Sequence, residues 1–163
     1  MQKAAAGSRE AMDRLYADLA PPLYNYVLRL SGDPERADDA LQTTFLNAWH
    51  GRASFRGKGA RPWFFVIARN AVFRHFPGET VLESVDSVSS ATSPADEHQA
   101  TELADRLDEA LARLSADTRE AIVLSRLSGL SLEEIADLLG VSNGALRVRL
   151  SRGLKRLKEE LEL

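Results

Sequence analysis

One stretch near the C-terminal end constrains the fold more than any other. From Gly129 to Lys158 the chain reads GLSLEEIADLLGVSNGALRVRLSRGLKRLK. Apolar residues recur at helical spacing on both sides of Gly140, and glycine most readily adopts the left-handed conformation that ends a helix. The pattern therefore predicts a short helix, a tight turn and a longer second helix, which is a helix-turn-helix arrangement.

Both predicted helices begin with capping residues. Ser131 and Glu134 have the S-x-x-E spacing of a capping box, and Ser142 can cap the second helix. Along the second helix the leucines fall within an arc of roughly 80°, so we expect them to face a core. These leucines are Leu146, Leu150, Leu154, Leu157 and Leu161.

The other faces of this second helix are basic. Residues 138–158 contain no acid, and the cations there lie outside the leucine arc, so they should face outward. Outward cations on such a helix are typical of DNA contact, although a solvated basic helix on an ordinary bundle is the alternative. Gly144, in the first turn, would let the backbone approach a partner closely. The cations are Arg147, Arg149, Arg152, Lys155, Arg156 and Lys158.

The net charge of −3 seems unsuited to a nucleic-acid partner, but the charge is unevenly distributed. Residues 1–76 hold 11 basic and 7 acidic side chains, residues 77–110 hold 1 and 9, and residues 111–163 hold 9 and 8. Residues 40–78 contain no acid at all. Because local fields steer a polyanion, two basic modules around an acidic middle remain compatible with DNA.

Several classes of protein are disfavoured by the sequence. There are no cysteines, the three histidines are scattered, and no nucleotide-binding or hydrolase motif occurs, so we expect neither catalysis, a metal nor a cofactor. The longest apolar stretch, Trp63 to Ala68, is too short to span a membrane. The N-terminus lacks the apolar core of a signal peptide, so we expect a cytoplasmic protein without membrane insertion.

No strand pattern occurs, and we predict an all-α chain of two small helical domains, 1–76 and 96–163. The acidic Ser/Thr/Pro-rich segment 77–95 should be a flexible linker, and its acids offer a second use in screening the basic surfaces. Pro21 and Pro22 favour a split of the first helix, Asp33 and Pro34 should begin the next, and Pro62 should restart a helix to about Phe76. Further helices are expected over 96–114 and 115–127. Phe64, Phe65 and Ile67 are expected to pack in the core.

Two long segments of the chain resemble conserved regions of a known protein family. LYNYVLRLSGDPERADDALQTTFLNAW, followed by SFRGKGARPWFFVIARN, resembles conserved region 2 of bacterial RNA polymerase sigma factors, most closely the extracytoplasmic-function (ECF) class. LARLSADTREAIVLSRLSGLSLEEIADLLGVSNGALRVRLSRGLKRLKEEL resembles region 4 of the same class. The resemblance implies three partners: core RNA polymerase, promoter DNA, and an anti-sigma factor that clamps both modules. The free chain is expected to be a monomer.

The DDALQTTF motif resembles the family's segment that docks on the clamp of the largest polymerase subunit. Carboxylates on an exposed helix suit pairing with arginines of another helix, although Asp38 and Asp39 also favour a helix N-terminus through its dipole. The resemblance implies docking by Asp38, Asp39, Gln42, Thr44 and Phe45.

The basic loop from Gly51 to Ala60 and the start of the next helix resemble the part that recognises and opens the minus-10 element. Holding an unpaired strand takes cations and aromatic faces. For Trp63, packing in the core is an equal alternative to DNA contact. Arg69 and Asn70 match the family's ARN triplet, for which a structural role is an equal alternative to a functional one. The implied contacts are Arg52, Phe55, Arg56, Lys58, Arg61 and Trp63.

In region 4 the resemblance places Arg147, Arg149 and Arg152 on the minus-35 element, with Asn143 and Ser151 as weaker candidates. Lys155 and Arg156 should contact backbone phosphate, which positions rather than specifies. Two departures bear on these roles. Thr43 replaces the usual acid of the docking motif, and the basic end of region 2 stops early at Pro77, which would weaken intrinsic DNA binding. A sigma mimic that sequesters an anti-sigma protein and a stand-alone helix-turn-helix regulator remain alternatives.

Overall fold

The computed structural model describes residues 8–57, 59–75 and 97–161, with the backbone alone for 75 and 97–103. Those residues form α-helices and one 3₁₀ turn and contain no strand, which confirms the all-α prediction. Lys58, Phe76 and the predicted linker lie outside the described residues. The elements are α1 (Arg9–Ser31), α2 (Pro34–Gly51), the 3₁₀ turn (Arg52–Ser54), α3 (Ala60–His75), α4 (Glu97–Ala112), α5 (Ala116–Leu127), α6 (Leu132–Leu139) and α7 (Asn143–Glu160).

Helix α1 runs unbroken through Pro21 and Pro22, so the prediction of a split was wrong. A proline inside a helix removes one backbone hydrogen bond and usually costs about 3 kcal/mol. Packing compensates for this cost, because the residues that follow the prolines, Leu23, Tyr26 and Val27, are completely buried. The helix ends at Gly32, whose φ of 66° is left-handed.

The predicted start of α2 is confirmed. Asp33 accepts hydrogen bonds from the backbone N–H of Glu35 at 2.8 Å and of Arg36 at 3.3 Å, with Pro34 at the first helical position. Helix α3 begins at Ala60 rather than at Pro62. Pro62 thus lies within the first turn, where a backbone N–H has no partner in the helix.

Helices α1, α2 and α3 enclose the core of the first half. Phe64 and Phe65 are completely buried, as predicted, and Ile67 is half-buried against the same cluster. The ring centroid of Phe65 lies 5.2 Å from that of Tyr26, a separation that favours aromatic pairs.

In the second half, buried Arg119 of α5 caps the end of α4. Its Nε donates to the carbonyl of Leu111 at 2.7 Å, and its Nη2 donates to the carbonyl of Ala112 at 2.8 Å. Burial lowers the pKa of Arg119 to about 10, because a charged guanidinium is less favourable away from water. The cation satisfies carbonyls that have no partner within α4.

The two halves pack against each other in this structure. Helix α1 contacts α5, helix α3 contacts α6, and their buried residues form one hydrophobic cluster. Arg29 of α1 also forms an ion pair with Asp108 of α4. None of the described helices has the length and apolar character needed to cross a bilayer.

Candidate nucleic-acid and polymerase interfaces

The helix-turn-helix predicted from the sequence is present as α6 and α7. Ser131 Oγ accepts from Glu134 N at 3.2 Å, and Glu134 Oε2 accepts from Ser131 N at 2.8 Å, which completes the capping box. Gly140 has a φ of 67° and ends α6. Ser142 accepts from Ala145 N at 3.1 Å and starts α7.

The leucine arc of α7 faces inward as predicted. Leu146, Leu150 and Leu157 are buried, and Leu154 and Leu161 are half-buried against the core. Close contact with α5 occurs at Gly153, where an added Cβ would lie 2.4 Å from Thr118 Cγ2. This packing fixes the rotation of α7 about its axis and thereby sets which side chains face solvent.

Most of the cations on α7 face outward. Asn143 Oδ1 accepts from Arg147 Nε at 2.9 Å, which holds that guanidinium along the outer face. Arg149 differs, because its side chain is only 27% exposed and its Nη2 lies 3.7 Å from Asp117 Oδ2. The exposed candidates are Asn143, Arg147, Ser151, Arg152, Lys155 and Arg156.

One exposed residue of α7 was missed by the sequence reasoning. Val148 is 50% exposed between the arginines. The leucine arc already contained the signal, since Val148 and buried Leu157 are nine residues apart and therefore on opposite sides of a helix.

The predicted docking residues of α2 separate into surface and interior groups. Asp38, Asp39 and Gln42 are exposed on one side of the helix. Thr44 is completely buried, and its hydroxyl donates to the carbonyl of Ala40 at 2.6 Å, so the structure does not place it on the surface. Phe45 is half-buried.

Two exposed apolar residues lie near the carboxylates that are predicted to dock, and they were also missed. Tyr16 and Leu46 are each 52% exposed. The ring of Tyr16 lies 4.6 Å from that of Phe45, which in turn lies 5.1 Å from Phe64 in the core. This side of α2 therefore combines exposed apolar area, which protein interfaces favour at their centre, with carboxylates that suit a polar rim.

The basic loop after α2 places aromatic and cationic side chains together. The rings of Phe55 and Trp63 meet edge to face at 5.3 Å, and Trp63 meets Phe64 at 5.5 Å, so half-buried Trp63 has one side against the core. Arg52 stacks on Trp49 at 4.0 Å. Arg56 is exposed and donates to the carbonyl of Ala53 at 2.7 Å.

Arg61, another predicted minus-10 contact, points toward the second half. Its Nη1 donates to the carbonyl of Ser128 at 2.8 Å, where α5 ends. Its side chain also lies 3.4 Å from the position that a Cβ on Gly129 would occupy. The structure therefore brings this residue to the boundary between the halves.

A buried carboxylate also joins the halves. Glu120 of α5 is 4% exposed and accepts hydrogen bonds from Tyr26 Oη and from Arg69 Nε, each at 2.8 Å. Burial and the adjacent negative charge of Glu120 raise the pKa of Tyr26 well above its ordinary value of 10. Arg69 thus has a structural partner, while Asn70 beside it is exposed.

Comparison with known proteins places both halves in one family. Sigma-70 region 2 matches residues 15–79, and Sigma-70, region 4 matches residues 104–157. RNA polymerase sigma factor CarQ from Myxococcus xanthus is 35% identical over 170 aligned residues, which cover 100% of this chain and 98% of that protein. The chain belongs to the sigma-70 family. ECF RNA polymerase sigma factor SigL from Mycobacterium tuberculosis is 37% identical over 98% of this chain and 93% of its own length, which places the chain in the ECF class.

Two solved structures share the fold of this chain. CnrH, in complex with the cytosolic domain of CnrY, superposes with a TM-score of 0.79 at 26% identity over 99% of this chain and 94% of that one. The sigma factor RpoE from Bartonella quintana, in complex with the anti-sigma factor NepR, superposes with a TM-score of 0.74. The two sequences are 30% identical, and the match covers 94% of this chain and 98% of that one. The outer side of α2 and the basic loop lie within the residues that match region 2, and most of α7 lies within those that match region 4.

Proposed function

We propose that this protein is an alternative sigma factor that binds core RNA polymerase and directs transcription initiation at a specific class of promoter. The observation that carries the proposal is the exposed arginine pair of α7, Arg147 and Arg152, in a chain whose whole length matches sigma factors. A family member that had abandoned promoter DNA would have no use for cations held clear of its core.

Region 4 recognises the minus-35 element through α7. Arginine pairs bidentately with guanine in the major groove, at about 1–3 kcal/mol of discrimination per good pair. Arg147 and Arg152 are the two base-reading candidates, since Arg149 is turned toward Asp117 and would first have to leave it. Lys155 and Arg156 contact phosphate, and Asn143 orients Arg147.

Region 2 recognises and opens the minus-10 element through the basic loop. Phe55 offers an aromatic edge and face next to Trp63, and the neighbouring cations Arg52, Arg56, Lys58 and Arg61 would hold the phosphates of an unpaired strand. In the arrangement seen here Arg61 is bonded to Ser128, so the halves must move apart before it reaches DNA.

Polymerase docking takes place on the outer side of α2. Asp38, Asp39 and Gln42 provide polar contacts for a basic helix of the clamp, and Tyr16 and Leu46 provide apolar area beside them. Thr44 and Phe45 support this face from within. This division explains why a motif of mixed polar and apolar residues is needed at the site.

The second protein partner is an anti-sigma factor. One of the structural relatives is bound to one, and this chain has a cavity of about 620 Å³ between α1, α4, α5 and α7. Its walls are mostly apolar, with Leu28, Leu107 and Leu154 among them, so an apolar segment of a partner would gain burial there. An anti-sigma protein that is purified together with the chain should suppress transcription directed by the wild type. It should fail to suppress transcription directed by Leu28→Glu.

Two other functions fit less well. A sigma mimic has no need of the outward cations of α7, and a stand-alone helix-turn-helix regulator has no need of the docking face on α2. Neither alternative accounts for both features at once. Promoter-specific transcription accounts for both.

The test is run-off transcription with purified core polymerase and a library of randomised promoters. The proposal predicts that adding the chain yields transcripts from a subset of templates that share minus-35 and minus-10 sequences. Active core polymerase that binds the chain but produces no promoter-specific transcript would contradict the proposal and favour the mimic.

A further inference from the structure

Val148 has no evident structural purpose in α7. Half of its surface is exposed, and it is absent from the apolar residues that pack against the core. A β-branched residue is also a poorer helix former than alanine or lysine, because its side chain loses rotamer freedom. Folding therefore gives no reason for valine at this position.

Its position on the helix is the centre of the outward side. At 100° per residue Val148 lies roughly 180° from Leu157, which is buried against the core. Arg147 and Arg152 lie on either side of it around the helix. A helix inserted with this side into a groove would direct Val148, together with Arg152, toward the floor.

The residues around Val148 leave its methyl groups protruding. Gly144 and Ala145, one turn earlier, and Ser151, nearly one turn later, are small, whereas Arg152, one turn later, is long and exposed. A Cβ placed on Gly144 would meet nothing within 4 Å. A flat apolar group can therefore approach the isopropyl group from the side of Gly144 and Ser151.

We propose that Val148 reads the C5-methyl group of a thymine in the minus-35 element. Thymine is the one base that presents a methyl group in the major groove, and valine cannot satisfy the donors and acceptors that other base edges present. The element should thus contain an A·T pair opposite Val148, between the bases contacted by Arg147 and Arg152. This inference rests on the proposed role of α7 as the minus-35 reader.

The experiment removes the methyl group from the DNA and from the protein in turn. In a promoter obtained from the library, each minus-35 thymine is replaced singly by deoxyuridine, and binding of the holoenzyme is measured. The wild type should bind about fourfold more weakly at one position, as expected for one methyl group left unburied. Val148→Ala should bind thymine and deoxyuridine equally at that position.

The matched control is Val66→Ala, which removes an equally apolar, exposed valine from α3. It should keep the full deoxyuridine penalty. If the wild type forms promoter-specific complexes without any such penalty, or if the penalty persists in Val148→Ala, the inference is wrong while the proposed function stands. A chain that forms no promoter-specific complex at all would overturn both.

Discussion

At the scale of single residues, Glu120 shows what a sequence can and cannot reveal. The sequence shows that this residue is a glutamate within a predicted helix. It does not identify the partners, because Tyr26 is 94 positions away and Arg69 is 51 positions away. Local spacing governs caps and helix faces, whereas contacts between distant segments depend on the whole fold. The capping box of Ser131 was therefore predictable and the surroundings of Glu120 were not.

Tyr26 gives a prediction for alkaline pH. Because its pKa is raised in the folded state, the neutral phenol stabilises the fold fully below pH 10. That stabilisation is lost as the pH rises through the folded pKa. We expect one late-ionising tyrosine in the absorbance at 295 nm, and Tyr26→Phe should remove it.

The same substitution should lower the free energy of unfolding at pH 7 by about 1.5–3 kcal/mol, the value of a hydrogen bond to a charged group. Tyr16→Phe is the control, since Tyr16 is half exposed. A late-ionising component that survives in Tyr26→Phe would show that a tyrosine other than Tyr26 carries the raised pKa.

At the scale of elements, helix existence followed from the sequence and helix continuity did not. The two prolines of α1 predicted a break on local grounds, but burial of Leu23, Tyr26 and Val27 outweighed the local penalty. The same reasoning succeeded for α7, where the leucine arc identified the buried face. The periodicity of apolar residues shows directly which face of a helix is buried. A single helix-breaking residue shows only a local penalty, which packing can outweigh.

Substitutions at two glycines of α7 are expected to have opposite effects on the free energy of unfolding. Gly153→Ala should lower the free energy of unfolding by about 1–3 kcal/mol, because its Cβ would lie 2.4 Å from Thr118 Cγ2 and 2.9 Å from Ile122 Cδ1. Gly144→Ala should raise it by about 0.5–1 kcal/mol, since that position is open and alanine favours a helix. Chemical denaturation of both variants tests the pair.

Equal effects of the two substitutions would mean that α5 and α7 are not in close contact. Thr118→Ser removes the nearer of the two opposing methyl groups. Combined with Gly153→Ala, it should recover part of the loss.

At the scale of the whole molecule, the structure is a closed arrangement of regions 2 and 4. The expectation of two domains on a flexible linker concerned residues 77–95, which lie outside the described part, and gave no relative placement. The observed contacts engage Arg61 and Arg69, two cations of region 2. Opening of this arrangement would release them.

Glu120→Ala should therefore loosen the closed arrangement. Removing Glu120 leaves Arg69 and Tyr26 without their acceptor, at a cost below the about 3–5 kcal/mol of a fully buried pair, because the Arg69 side chain is 33% exposed and water can reach it. We expect a larger radius of gyration by small-angle scattering and faster amide exchange where α3 meets α6. Glu160→Ala is the control, because its pair with Arg113 is exposed and lies within the second half. An unchanged radius and exchange rate in Glu120→Ala would show that this contact does not hold the halves together.

The division of labour between the two regions is tested most directly by measuring core binding and promoter selectivity for the same pair of variants. Replacing Arg147 and Arg152 with alanine should leave the affinity for core polymerase unchanged and abolish discrimination at the minus-35 element. Asp39→Ala should weaken core binding and leave the promoter preference of the remaining holoenzyme intact. Loss of core affinity in the arginine variant, with selectivity retained, would contradict the assignment of α7 to promoter recognition and of α2 to polymerase docking.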